Sequence, residues 1–134
     1  MKYIFQCEKL VRDRIPDLIA EPGNTIIVET LDHKAHISAL KNKLKEEAEE
    51  VACASTREQI IEEIADMKEV LDALILKMAI DRNEIEDIKR KKSLKSGGFD
   101  RGLFLKTIEA PIESTVAQHF LKDAVRYPAH QIAE

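Results

Sequence analysis

Two long stretches of this chain repeat apolar residues at spacings of three and four, and only a very short connection separates them. In the first, Ile37, Leu40, Leu44, Ala48 and Val51 share one face of a helix that Asp32 can cap and that runs to about Ala54. In the second, Ile60, Ile64, Met67, Leu71, Leu74 and Met78 form the stripe of a helix reaching about Ile80. Ser55-Thr56-Arg57-Glu58 resembles a capping box at its start. Helices joined so tightly must run antiparallel and pack as a hairpin. The expected fold class is therefore all-α.

The rest of the chain adds shorter pieces. Glu8–Glu21 reads as a short helix, or a turn leading into one, with Pro16 placed early, and Pro22-Gly23-Asn24 breaks it. TIIVETL, Thr25 to Leu31, is rich in β-branched residues and is the best strand candidate, so the fold holds at most a short strand pair. Asn83 or Asp81 can cap a third helix, from Glu84 to about Lys95, which Gly97-Gly98 stop. Phe99 to Leu105 reads as extended. A last amphipathic helix follows Pro111, built on Val116, Phe120, Leu121 and Ala124, and the tail after Tyr127 reads as loose.

Composition narrows the function classes. With 44% hydrophobic and 34% charged residues, the 134-residue chain suits one helix-rich globular domain. A net charge of −4 argues against general nucleic-acid binding, which needs a basic face. No apolar run approaches the ~20 residues that span a bilayer, and charges end the apolar patch of MKYIFQC too soon for a signal peptide. The expectation is a cytoplasmic protein with no membrane partner. Cys7 and Cys53 read as free thiols, and none of the four histidines completes a Glu-x-x-His pair. GxxxxGK and GxGxxG are both missing, so phosphate handling would need another device.

The run KLKEEAEEV supplies a candidate. Seven helical residues return to within about 20° of their starting direction, so Glu47 stands above Leu40, inside the apolar stripe. Glu50 lies one turn on, at the stripe's edge, whereas Glu46 and Glu49 reach water more easily. The second helix repeats this: Glu63, seven residues before Val70, borders the apolar face, with Asp66 one turn farther. Carboxylates converging in a low-dielectric seam raise one another's pKa values and are costly unless compensated. Either Lys and Arg side chains or water compensate them, or a divalent cation does. All-oxygen ligands favour Mg²⁺, with Mn²⁺ a possible substitute.

The chain also resembles the MazG-like all-α NTP pyrophosphatases, whose metal motif is EExxE followed by ExxD. Here it reads Glu46-Glu47-Ala48-Glu49-Glu50 and Glu63-Ile64-Ala65-Asp66. One branch of predicted house-cleaning enzymes also begins with a KLVRDKIP-type segment, here KLVRDRIPDLI with Arg14 for the usual lysine, and carries a lysine-rich helix end before GGF, here KRKKSLKSGGF. The resemblance covers about residues 8 to 106. It implies a nucleotide pyrophosphohydrolase domain over 1–106 with a helical extension over 107–134.

The resemblance implies hydrolysis of a nucleoside triphosphate between its α- and β-phosphates, releasing the monophosphate and pyrophosphate. Glu47, Glu50, Glu63 and Asp66 would hold Mg²⁺, and Glu46 or Glu50 would orient the attacking water or take its proton. Lys92 aligns with the family's most regular lysine. With Lys89 it is a candidate phosphate clamp, against the plainer reading of lysines complementing a helix C-terminus. Arg12 is placed near the substrate, against the plainer reading of a surface ion pair. Phe99 is a candidate base-stacking group, against the plainer reading of a core residue. A hairpin plus a short helix buries little core, and the proteins resembled complete four-helix bundles by oligomerising, so a homodimer is expected. Two alternatives stand beside this: a phosphoribosyl-ATP pyrophosphohydrolase-like enzyme, and a non-enzymatic helical assembly module whose acidic seam is paired with Lys and Arg.

Overall fold

The computed structural model describes residues 1–132. The chain divides into two compact units, Met1–Lys92 and Ser93–Glu134. The described residues form five helices: α1 (Ile15–Leu18), α2 (His33–Cys53), α3 (Arg57–Lys77), α4 (Arg82–Ser96) and α5 (Thr115–Leu121). The architecture is all-α, and no described helix is long and apolar enough to cross a membrane.

Helices α2 and α3 are the pair that packs extensively, as the short connection between their apolar stripes requires. Asp32 caps α2, its Oδ1 accepting from the Ala35 N–H at 2.8 Å. The cap of α3 is Thr56 rather than Ser55: its hydroxyl accepts from the Gln59 N–H at 3.2 Å, while Gln59 Oε1 accepts from the Ser55 N–H. Two adjacent hydroxyl residues, each with a suitable partner three positions on, made the register ambiguous by one. At its other end α3 closes with the Ile80 N–H donating to the Ile75 carbonyl and the Ala79 N–H to that of Leu76. This Schellman closure puts Ala79 at φ 52, a left-handed position that favours glycine.

The core is narrow. Among the described residues, Leu40, at 3% exposure, and Val70, at 9%, are the buried apolar side chains, and Glu47 joins them at 7%. The phase of α3 is rotated from the expected stripe. Val70 is buried and Glu63, Asp66, Met67 and Leu74 are half-buried, whereas Ile60, Ile64, Leu71 and Met78 remain exposed. The apolar arc of α3 is wider than one neighbouring helix can cover, so part of it stays outside the hairpin.

Other segments depart from expectation. TIIVETL is not a strand; the described residues contain none, because no second segment offers it a ladder of hydrogen bonds. Of Glu8–Glu21, only Ile15–Leu18 is helical. Asp81 caps α4, accepting from the Asn83 N–H at 2.9 Å, and α4 stops at Gly97, φ 78. Phe99 to Gly102 form a turn instead of an extended start. In the second unit, Ser114 caps α5, which ends before Ala124. Residues 128–132 carry no helix or strand, and the last two residues of the expected extension and loose tail lie outside the described residues.

Candidate metal centre

The hairpin brings three of the expected carboxylates together. Glu47 of α2 and Glu63 and Asp66 of α3 each offer an oxygen, and these oxygens lie within 4.8 Å of one another. Glu47 is carried inward because it stands in phase with Leu40, which anchors α2 against α3. Glu63 and Asp66 flank Val70 and Met67 on the facing helix.

Charge is the defining property of the cluster. Desolvation comes first, then the charges of Glu50, Asp66, Glu47 and Glu62, and together they push the Glu63 carboxyl above its ordinary value. Burying a carboxylate such as Glu47 costs several kcal/mol without compensation. Lys43 supplies part of it, its Nζ lying 3.5 Å from Glu47 Oε1 and 3.1 Å from Glu46 Oε1. Lys9 approaches Glu46 at 3.5 Å. Desolvation alone would raise Glu46, but the hydrogen bonds and charges of Lys43 and Lys9 outweigh it and hold the carboxyl below its usual range. Arg12 Nη2 donates to Asp66 Oδ1 at 2.7 Å.

The donor set suits a small, hard divalent cation. Around an ion with metal–oxygen distances of about 2.1 Å, ligand oxygens lie about 3 to 4 Å apart. Oxygens already within 4.8 Å of one another can reach that geometry through rotamer changes of the half-buried Glu63 and Asp66. No histidine or cysteine belongs to the cluster, which disfavours softer metals.

The remaining expected residues are placed less tightly. Glu50 is exposed and outside the three-oxygen cluster. It lines, with Cys53, Ala54, Gln59, Glu62 and Glu63, an open cleft of about 300 Å³ where the helices meet their connection. Lys89 and Lys92 are exposed on α4. Lys89 stands 3.9 Å from Glu86, and Lys92 makes no salt bridge among the described residues. Phe99 belongs to the second compact unit and is fully exposed. Lys43 and Lys9 escaped the sequence reading. For Lys43 a signal existed, its i+3 and i+4 spacing to Glu46 and Glu47. For Lys9 none did.

Comparison with known proteins points the same way. The family described as phosphoribosyl-ATP pyrophosphohydrolase matches residues 12–93, more than half of the chain, and the matched span contains the whole hairpin. An uncharacterized protein of Mycolicibacterium smegmatis is 44% identical over 54 residues, 40% of this chain and 55% of that protein. The chain thus spans about half the length of that curated relative. No solved structure matches.

Proposed function

The chain belongs to the phosphoribosyl-ATP pyrophosphohydrolase family, within the MazG-like all-α NTP pyrophosphatase superfamily, and from that premise we propose that it is a Mg²⁺-dependent nucleoside triphosphate pyrophosphohydrolase. Its products would be a nucleoside monophosphate and pyrophosphate, in a house-cleaning role toward noncanonical or excess nucleotides. The observation that carries the reading is the meeting of buried Glu47 with Glu63 and Asp66 across the hairpin.

In this reading Glu47, Glu63 and Asp66 hold the cation, and Glu50 joins them from the adjoining cleft. Bound Mg²⁺, or Mn²⁺ in its place, supplies charge neutralisation at the phosphates and a lowered pKa for water. Glu46, held ionised by Lys43 and Lys9, is a weak base and serves to orient the water. Accepting the proton falls to Glu50, which is exposed beside Glu63. The bond that breaks joins the α-phosphorus to its bridging oxygen, and pyrophosphate carries that electron pair away. Lys92 and Lys89 bind the departing phosphates, and Arg12 assists from the N-terminal segment. The protein works by positioning and electrostatics, without a covalent intermediate.

The exposed Ile60, Ile64 and Leu71 beside so narrow a core support assembly of two hairpins into a four-helix bundle. Light scattering should return the mass of a homodimer; a monomer alone at micromolar concentration would contradict this.

The family's description favours one second reading, in which phosphoribosyl-ATP is the substrate. A pyrophosphate-release screen over canonical and modified NTPs and dNTPs, with phosphoribosyl-ATP included, decides between them. Release from nucleoside triphosphates, abolished by chelating Mg²⁺, is the expected result. Turnover of phosphoribosyl-ATP alone selects the second reading. No release from any substrate, with no specific Mg²⁺ or Mn²⁺ binding, would leave a helical assembly module with an ion-paired seam.

A further inference from the structure

The ion pairs around the cluster are arranged as a strap. Lys9 and Arg12, three residues apart on the segment before α1, reach different helices of the hairpin: Lys9 to Glu46 on α2 and Arg12 to Asp66 on α3. The same short segment therefore crosses the acidic seam and lays one cation on each side of it. Its attachment is light. Both pairs are largely exposed, with the Arg12 side chain at 58% and Asp66 at 41%, and exposed pairs contribute little to stability. Glu8, which leads into the strap, sits at φ 43, a left-handed conformation unfavourable for glutamate.

We propose that Arg12 is a displaceable counter-charge on this strap: it competes with the divalent cation for Asp66, and binding of the cation frees the guanidinium from that carboxylate while Lys9 keeps the segment on Glu46. This rests on the metal-site reading above. A guanidinium on Asp66 Oδ1 and a divalent ion on the same carboxylate would be close like charges, each weakening the other's hold. The divalent ion draws on Glu47, Glu63 and Asp66 together, whereas Arg12 contacts Asp66 alone, so the ion prevails. Once freed, the Arg12 guanidinium lies beside the cation, where a phosphate oxygen of a bound nucleotide can take the place of the Asp66 carboxylate. Metal loading thereby converts Arg12 from a partner of the ligand set into a partner for the substrate.

Calorimetric titration with Mn²⁺ alone, without nucleotide, tests the competition. Arg12→Ala should bind Mn²⁺ up to about fivefold more tightly than the wild type, the range an exposed ion pair allows, and Arg12→Lys should fall between them. In the wild type, Mn²⁺ should also speed trypsin cleavage after Arg12 relative to cleavage within 93–134. Equal or weaker Mn²⁺ binding by Arg12→Ala, or protection of the strap by Mn²⁺, would overturn the proposal while leaving the metal site standing. Absence of Mn²⁺ binding in all three proteins would remove the metal reading and the strap with it.

Discussion

The hairpin and helix α4 are both rich in charge, yet the fold treats their charges differently. Along α2 and α3, Leu40 and Val70 fix which side faces inward, and that phase sorts neighbouring carboxylates into a buried Glu47 and an exposed Glu49. Helix α4 buries none of its residues, and Lys89, Lys91, Lys92 and Lys95 are all exposed. A packed neighbour gives each position on a helix its own environment; without one, the four lysines stay exposed, and the pair of Lys89 with Glu86 at 3.9 Å is their one local distinction among the described residues. Any further distinction among them must come from a ligand or a partner chain. The hairpin is where the chain itself encodes chemistry.

The comparison breaks most visibly through the carboxylates. Asp66→Asn should lower pyrophosphate release about 100- to 1000-fold while leaving the helical circular dichroism unchanged, since the ligand charge is lost and the shape is kept. Wild-type turnover in this variant would remove Asp66 from the site. A smaller effect is expected on stability. Leu40→Ala should destabilise the chain by about 2–3 kcal/mol in chemical denaturation, whereas Leu94→Ala, on exposed α4, should stay within about 0.5 kcal/mol. Similar costs at the two sites would mean that the hairpin is not the structural reference. The smallest effect concerns how the helices end. Gly97 stops α4 in the left-handed region, but Ala79 holds the equivalent position after α3. Ala79→Gly should therefore stabilise by about 1 kcal/mol, read as a raised melting temperature; destabilisation would show that the alanine methyl has a packing role.

Much of this could be read from the sequence because helical phase is a local property. The hairpin, the Asp32 cap, and the meeting of Glu47 with Glu63 and Asp66 all follow from spacings within two adjacent helices. Other features depend on what lies across from a segment. Thr25 to Leu31 has strand composition but no partner strand, and α3 turned until Val70 rather than Leu71 faced α2. The Arg12–Asp66 pair joins residues 54 positions apart, a distance at which charge pattern carries no register. Spacing puts Glu50 with the ligands, whereas the structure sets it in the adjoining cleft, outside the three-oxygen cluster.

If helical phase rather than charge density selects the functional carboxylates of KLKEEAEEV, Glu47 and Glu49 should behave differently. Pyrophosphate release by Glu47→Gln measured beside Glu49→Gln, at saturating Mg²⁺, tests it most directly, because both changes remove one charge from the same helix. Glu47→Gln should lose about 100-fold or more, and Glu49→Gln should change within about twofold. Equal losses in the two variants, or full activity in Glu47→Gln, would contradict it.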